Sequence, residues 1–287
     1  MFNSFNSDSY WQEHRKSTPL SLDTKSNFAI IDCSLKRRPN LERCVITCGI
    51  SLDARARGLR LMSVQRDHPV YLRLKSELVC FEYEPGRAIS INALADCLRM
   101  SPIPVREALI RLSVEDFVDF MPREGFFPRK PTFAEIKGDI EFLYLAISSF
   151  GKQILVMDTN SAGCGCDLSS LRTKDPEAIK DCSTATAESE KFYRNCCAMQ
   201  ENRALARQSL AIVEKTHFIR LICFELLDDV EEFFRGQNDF VDALEAQDAN
   251  KMSQTLLTNY KRSTDVLEAA FKELAFRLFT KFGAHVA

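Results

Sequence analysis

The chain contains 287 residues, 45% of them hydrophobic and 27% charged, and its formal net charge is −2. This length allows two compact domains with separate cores. The charge balance excludes an overall field that attracts nucleic acid, so any affinity for DNA must come from a local arrangement of cations. The sequence contains neither a membrane-length apolar run nor a secretory signal pattern, which predicts a cytoplasmic protein without a membrane partner.

Residues 1–61 show neither helical nor strand periodicity, and we predict an irregular N-terminal extension. Met62 opens the first patterned segment. This leads to the hypothesis that translation begins at Met62 and that residues 1–61 are not translated.

The chain has eleven cysteines and no export signal, so we interpret them as reduced thiols. Cys164 and Cys166 form a Cys-Gly-Cys pair in a Gly- and Ser-rich loop. A metal site or an oxidant sensor is conceivable there, but no second ligand pair follows at zinc-site spacing. We therefore interpret the pair as part of an ordinary loop.

The segment 62–131 begins with three predicted helices. The first is amphipathic and ends at the turn Glu84-Pro85-Gly86, where Pro presets φ and Gly tolerates positive φ. Ser90 is placed to cap a second helix, Ile91 to Leu98. After a short turn, a third helix is predicted over residues 101–114.

A β-hairpin is predicted to follow these helices. Phe117 to Met121 alternates like a strand, Arg123-Glu124-Gly125 is typical of a tight turn, and Phe126 begins a return strand. This is the element order of a winged helix-turn-helix, whose third helix can enter the major groove of DNA. Acidic residues nearly balance the basic ones, so the basic face must be one-sided. The cations are Arg99, Arg106, Arg111, Arg123, Arg129 and Lys130.

Residues 132–287 are predicted to be an all-helical bundle that binds an effector and forms the dimer. Apolar residues recur every three or four positions from Phe133 to Ile154, which predicts one long helix. Further helical stretches are Asp175 to Met199, Arg203 to Leu227, Asp229 to Glu245 and Asp248 to Phe282. The predicted fold class is therefore mainly α, with an N-terminal winged helix-turn-helix and a C-terminal bundle that can enclose a ligand cavity.

Several short motifs follow one another in a fixed order and spacing. They are Glu84-Pro85-Gly86-Arg87, Leu94-Ala95, Ser101, Pro104-Val105-Arg106-Glu107-Ala108-Leu109, Leu112 and Pro122-Arg123-Glu124-Gly125. This segment resembles the GntR family of bacterial regulators. In the helical half, the pattern of Phe192, Asn202, Ala243-Leu244 and Asp248-Ala249 resembles the FadR-type subgroup of that family, whose effector domain is a helical bundle called FCD. The resemblance implies a homodimer that binds a pseudo-palindromic operator in double-stranded DNA and, by analogy, represses transcription.

The resemblance also implies which residues contact DNA. In the family, the residues that match Arg106 and Ser101 contact the operator, and the wing glycine that matches Gly125 approaches the DNA backbone. Asn92 stands where the family often has a DNA-facing residue. Arginine can bond a guanine edge or a phosphate bidentately, and a helix N-terminus favours phosphate. The alternative for Arg106 is an ion pair on the helix surface.

Two residues depart from the family pattern. Pro102 and Ile103 replace the Arg and Thr that often follow the capping residue, and both replacements remove hydrogen-bonding groups. Ile103 can still contact a thymine methyl group, so we expect a different or weaker operator preference. The alternative is a degenerate regulator that acts only as a dimerisation or protein-interaction module. The predicted DNA-binding residues are Asn92, Arg99, Ser101, Ile103, Arg106, Arg123 and Gly125.

The family's metal site is predicted to be absent. Alignment on the motifs around Phe192, Ala243 and Asp248 places four uncharged residues at the ligand positions of FCD domains. None of these four is a carboxylate or an imidazole, and they are poor ligands for a transition metal. They are Ser189, Tyr193, Gln237 and Asn259.

Two alternatives remain for these four positions. They line a neutral polar cavity for an uncharged or weakly anionic effector, or they only fill space in a domain that no longer binds a ligand. His217, the one histidine within a predicted bundle helix, is interpreted as a hydrogen-bonded core residue rather than a metal ligand. The sequence contains no phosphate loop and no dinucleotide fingerprint, so we predict neither an enzyme nor a cofactor.

Overall fold

A computed structural model describes residues 69–156 and 167–283 of the chain. The N-terminal extension, the hypothesis about Met62 and the Cys164–Cys166 loop lie outside these ranges. Within them, the protein is mainly α-helical, with a winged helix-turn-helix followed by a helical bundle, as the sequence predicted. None of the described helices is long and apolar enough to cross a membrane.

The winged helix-turn-helix consists of three helices and a two-stranded antiparallel sheet. The elements are α1 (Pro69–Val79), α2 (Ile91–Leu98), α3 (Pro102–Val114), β1 (Val118–Met121) and β2 (Gly125–Pro128). Ile89 forms an isolated bridge to Phe126 of β2, which attaches the start of α2 to the wing. One apolar core holds the unit together, and Val105, Leu109 and Leu112 of α3 are completely buried in it.

The predicted bounds of α2 and α3 are confirmed. The Ser90 hydroxyl accepts a hydrogen bond from the backbone N–H of Ala93, and α2 ends at Arg99 in the left-handed region. Ser101 occupies the N-cap position of α3, but its side chain makes no capping hydrogen bond. A capping hydroxyl bonds the N–H of the second or third helical residue, and the third residue here is Pro104, which has no N–H. The Ser101 hydroxyl therefore remains available to another partner.

The bundle contains seven α-helices and two short 3₁₀ turns within the described ranges. The turns are Leu168–Leu171 and Pro176–Ala178, and the helices are α4 (Phe133–Val156), α5 (Cys182–Met199), α6 (Arg203–Lys215), α7 (His217–Leu226), α8 (Val230–Glu245), α9 (Ala249–Asp265) and α10 (Leu267–Gly283). Helices α8 and α9 approach closely at Gly236, where an added Cβ would lie 2.3 Å from Oδ1 of Asn259. A side chain at position 236 would therefore displace the Asn259 amide.

Three of the predicted helical stretches differ from the structure. The helix expected from Asp175 begins only at Cys182, because Pro176 opens a 3₁₀ turn and the Asp181 carboxylate then caps α5. The stretch 203–227 breaks at Thr216, whose hydroxyl donates to the carbonyl of Ile212. A Thr hydroxyl that bonds the carbonyl four residues earlier often bends a helix.

The stretch 248–282 also divides into two helices, at Val266. Just before this position, the Ser263 and Thr264 hydroxyls donate to backbone carbonyls of the preceding turn. These bonds compete with regular helical geometry. No Pro or Gly marks this break or the one at Thr216, so the sequence pattern did not reveal either.

A buried ammonium group connects the winged domain to the bundle. Nζ of Lys75 in α1 lies 2.7 Å from Oε2 of Glu115, just after α3, and 2.6 Å from Oε2 of Glu214 in α6. The same Nζ donates to the Tyr71 hydroxyl at 3.0 Å, and that hydroxyl donates to Glu115. Burial lowers the pKa of Lys75, but the two carboxylates outweigh this and raise it above its ordinary value. Lys75 is therefore a permanent cation that links both domains.

A second set of contacts surrounds the end of α1. Phe81 has φ 50°, and its ring lies edge-on to Phe218 of α7 with 5.4 Å between centroids. Lys281 of α10 donates to the Phe81 carbonyl at 2.9 Å and pairs with Glu82 at 3.1 Å. A bulky residue at positive φ is strained, and contacts from two bundle helices stabilise it.

The bundle interior contains a second ion cluster around Glu190. Its carboxylate is 2.7 Å from Nδ1 of His217, 3.1 Å from Nη1 of Arg220 and 2.9 Å from Nη2 of Arg194. His217 is thus a hydrogen-bonded core residue, as predicted. Burial raises the pKa of Glu190, but the hydrogen bond with His217 and the charge of Arg220 outweigh this and hold it below its ordinary value.

We expect Lys75→Met to lower the free energy of unfolding by about 2–3 kcal/mol, because it leaves two partly buried carboxylates without their shared cation. Denaturant unfolding of the full chain measures this change. The control is Lys191→Met, which breaks an exposed pair with Glu188 and should cost less than about 0.5 kcal/mol. Equal losses in the two variants would contradict a special role for Lys75.

Glu190→Gln should make stability less sensitive to acid. Because the pKa of Glu190 is lowered by folding, its contribution is complete above the pKa of the unfolded chain and is lost as the pH falls through the folded value. Unfolding free energies measured from about pH 6 down to about pH 3 should therefore fall less steeply in the variant than in the parent. The control is Glu188→Gln, two residues earlier in α5, where the carboxylate pairs with Lys191; this variant should retain the parent's slope.

Candidate nucleic-acid interface and ligand cavities

Three arginines of the winged domain are exposed and have no ion pair with any described residue. Arg99 ends α2, Arg106 lies on α3, and Arg123 lies in the turn between the strands. The alternative of an Arg106 ion pair is therefore not observed within the described ranges. These three positions correspond to the turn, the recognition helix and the wing, the parts of this fold that face DNA.

The other arginines of the domain are neutralised by neighbours. Arg87 pairs with Glu84 at 3.0 Å, Arg111 pairs with Glu115 at 3.1 Å, and Arg129 contacts three acids, with Glu135 nearest at 2.7 Å. The guanidinium of Arg111 also stacks 3.7 Å from the Tyr71 ring centroid. Arg99, Arg106 and Arg123 are thus the arginines of the domain for which no ion pair with a described residue is found, although the protein as a whole is slightly acidic.

The remaining predicted DNA contacts lie at the starts of α2 and α3 and in the wing. Asn92 and Ser101 are exposed at the N-termini of α2 and α3, and Ile103 is 67% exposed. Gly125 has φ +117°, a conformation that other residues rarely adopt, and Arg123 beside it has φ 71°. A tight wing tip therefore carries an arginine that no described side chain neutralises.

An apolar stripe runs along the exposed side of α3. Ile103, Ile110 and Val114 are 67%, 49% and 81% exposed. Ile103, Arg106 and Ile110 are spaced three and four residues apart, so they share one helix face. The face expected to read DNA is thus more apolar than the family resemblance implies.

A cavity of about 40 Å³ lies among α4, α5, α8 and α9, and we call it the Gln237 cavity. It brings together three of the predicted pocket residues, Tyr193, Gln237 and Asn259. No residue that lines it carries a charge, and six of them are aromatic: Tyr144, Phe192, Tyr193, Phe233, Phe240 and Tyr260. The lining is therefore neutral and mostly apolar.

A second cavity of about 40 Å³ contains Ser189, and we call it the Ser189 cavity. Tyr193 and Phe233 line both cavities and form part of the wall between them. The one charged residue that lines the Ser189 cavity is Arg220, whose guanidinium bonds Glu190 and the Thr216 hydroxyl. The four predicted pocket residues thus lie around two adjoining cavities rather than one.

Gln237 has an unusual position within the bundle. It is 4% exposed, and its Oε1 has no hydrogen-bond partner. Leaving a buried amide oxygen unsatisfied costs about 1–3 kcal/mol. By contrast, the Asn259 side chain donates to the Phe233 carbonyl and accepts from Arg262, so both the NH₂ group and the oxygen of its amide have hydrogen-bond partners.

The residues present do not fit the divalent metal that the FCD resemblance implies. Side-chain amide, hydroxyl and phenol groups occupy the expected ligand positions, and these are poor ligands for a transition metal. Among residues 69–156 and 167–283, no three His, Cys, Asp or Glu side chains are grouped as a metal site requires.

Residues 68–127 match the family model described as bacterial regulatory proteins, gntR family. A segment of 78 residues is 37% identical to an uncharacterized HTH-type transcriptional regulator in an unstable DNA locus of Streptomyces ambofaciens. That match covers 27% of this chain and 33% of the relative. Residues 68–127 are a gntR-type helix-turn-helix domain.

Other similarities extend beyond the gntR-type domain. The chain is 26% identical over 148 residues, 50% of its length, to the Nta operon transcriptional regulator of Aminobacter aminovorans, and covers 68% of that protein. E. coli McbR/YncC has a similar fold, with a TM-score of 0.50 and 19% identity over 70% of this chain and 96% of that one. The structure of a putative transcriptional regulator GntR from Rhodococcus sp. RHA1 has a TM-score of 0.52 and 19% sequence identity, over 72% of this chain and 99% of that one.

Sequence reasoning missed the two ion clusters. Lys75 follows Leu74 on the buried side of α1, and Arg220 lies in the apolar run of α7. A cation on a buried face is a signal that a partner must exist, because an unpaired buried charge is very costly. The partner cannot be named from the sequence, since Glu214 and Glu190 come from other helices.

Arg123→Gly should weaken duplex binding by the gntR-type domain without destabilising it, because glycine tolerates the positive φ at this position. If Arg123 neutralises one phosphate, the slope of log K against log salt should fall by about 0.9. Fluorescence anisotropy over a salt series measures both quantities. Gln247→Gly is the control, because Gln247 also has a positive φ, 56°, but follows α8 of the bundle. An equal effect there would contradict a contact by Arg123.

Proposed function

We propose that the protein is a transcription regulator that binds duplex DNA with α2, α3 and the wing. The observation that carries this proposal is the set of exposed arginines, Arg99, Arg106 and Arg123, which no described residue neutralises. Phosphate contacts by such cations supply most of the affinity for DNA. Arg106 on the recognition helix can also bond a guanine edge bidentately, which would give sequence preference.

We further propose that two copies bind one operator and that a small molecule in the bundle controls repression. Paired recognition helices match the two halves of an inverted repeat. Support for ligand control comes from the two adjoining cavities and from the Lys75–Glu214 contact, which ties the bundle to the winged domain. A ligand acts as a switch only if it binds one placement of the domains more tightly.

A second candidate function is a protein-interaction module that does not read DNA sequence. The observation that favours it is the apolar stripe of Ile103, Ile110 and Val114 on the exposed face of α3. Exposed apolar side chains in a row often mark a protein-binding surface. Pro102 and Ile103 also lack the side-chain donors expected there for base recognition.

Selection of random duplex DNA by the purified full chain tests the two candidates. We expect the parent to enrich an inverted repeat. Arg106→Ala should bind the enriched repeat about 10- to 100-fold more weakly, as expected for loss of a bidentate guanine contact of about 1–3 kcal/mol.

The matched control is Arg235→Ala, which removes an exposed arginine of α8 that pairs with Glu231. It should enrich the same repeat as the parent. If neither the parent nor the control enriches a motif, and all three proteins bind DNA weakly and with the same salt dependence, the regulator proposal fails. The interaction module then becomes the better explanation of the fold.

A further inference from the structure

Gln237 is the single strongly polar group on an otherwise aromatic face of α8. Phe233 precedes it by one turn and Phe240 follows it by nearly one turn, and both line the same cavity. Positions three and four apart share a helix face, so the amide stands between two rings. A hydrophobic residue there would fill the cavity without leaving a polar atom unsatisfied. The arrangement therefore suits a molecule that bonds the amide.

The character of the Gln237 cavity limits which molecule can enter. Its lining supplies no cation to balance an anionic ligand and no carboxylate to balance a cationic one. In the adjoining Ser189 cavity, the one charged lining residue is Arg220, which is already paired with Glu190. Burying an uncompensated ionic group is very costly, so a charged ligand is disfavoured. The unsatisfied atom is an oxygen, which accepts and does not donate. A complementary ligand is uncharged, presents aromatic or alicyclic surface and carries a donor.

Size requires a movement of the wall between the cavities. The Gln237 and Ser189 cavities each measure about 40 Å³, whereas a cavity that holds benzene measures about 150 Å³. Tyr193 belongs to both linings, and its hydroxyl makes no hydrogen bond within the described part of the chain. Ile140, Phe233 and Ser263 also line both cavities, so Tyr193 and these neighbours must move together, both to join the two spaces and to enlarge them. Ligand binding would then change the packing of Tyr193 against Arg220, whose Cζ lies 5.5 Å from the Tyr193 ring centroid.

We propose that the merged cavities bind an uncharged ring compound through a hydrogen bond to Oε1 of Gln237, without a metal ion. This inference rests on the proposed function, since it names the ligand class of the regulator. It departs from the metal-dependent site that the FCD resemblance implies, because the donor set present here does not suit a transition metal.

The test compares four probes on the purified full chain in the absence of DNA. Phenol carries a ring and a donor, toluene has a similar shape without a donor, benzoate adds a negative charge, and Zn²⁺ represents the metal alone. Thermal unfolding midpoints and saturation-transfer NMR measure binding. We expect phenol to bind about tenfold more tightly than toluene, because only phenol can bond the amide oxygen, and we expect benzoate and Zn²⁺ to leave the midpoint unchanged.

Gln237→Leu should abolish the preference for phenol over toluene, and it should raise the midpoint of the free protein because it removes an unsatisfied acceptor. Gln254→Leu is the control, since Gln254 is exposed on α9 and does not line either cavity. It should retain the preference. If Gln237→Leu does not fold, the unbranched Gln237→Met tests the same hydrogen bond.

Three results would overturn the inference. They are binding of benzoate as tight as that of phenol, an unchanged preference in the Gln237 variant, and a midpoint raised by stoichiometric Zn²⁺ and lowered again by a chelator. Operator selection is measured separately and without these probes. A protein that enriches an inverted repeat but binds none of the ring probes would refute this inference alone, and the regulator proposal would stand.

Discussion

The position of the recognition helix depends on one buried ammonium group. Lys75 bonds Glu115 at the end of α3 and Glu214 of the bundle at the same time. Its own helix α1 packs against α3 in the core of the winged domain. The cation also bonds the Tyr71 hydroxyl of its own helix. It fixes the end of α3 and the seating of the whole domain against α6 through a single set of contacts.

Glu214 also lies where the two ion clusters of the protein meet. The residues around it in sequence, Val213 and Thr216, both accept hydrogen bonds from Arg220. Arg220 in turn packs against Tyr193, one of the residues that line both cavities. A continuous series of contacts thus joins the cavities to α3. Proximity alone does not establish coupling between ligand binding and the placement of α3, because coupling needs an element with two arrangements. Under the proposed binding of a ring compound, Tyr193 and the residues around it form that element.

Local chemistry explains which parts of the fold were predictable. The Ser90 cap, the turn at residues 84–86 and the glycine of the wing depend on neighbours in sequence, so their residue types revealed the structure. The helix break at Thr216 depends on the hydrogen bond from its hydroxyl to the Ile212 carbonyl of the preceding turn. Because Thr also occurs in unbroken helices, the residue type alone did not predict the break. Partners such as Lys75 and Glu214 meet only after the domains pack. The cavity residues were located by resemblance, but their division between two cavities required the structure.

The departures from the family pattern at the start of α3 have a common physical consequence. Two prolines fix φ at the first and third helical positions, which favours helical geometry before DNA binds. Pro104 also removes the N–H that would hold the Ser101 hydroxyl, so a free hydroxyl stands at a helix N-terminus where phosphate is favoured. The start of α3 can therefore bond the DNA backbone through the Ser101 hydroxyl, but it lacks the side-chain donors at positions 102 and 103 that would bond bases. Sequence preference must then come mainly from Arg106, from contact of Ile103 with thymine methyl groups, and from the shape of the duplex.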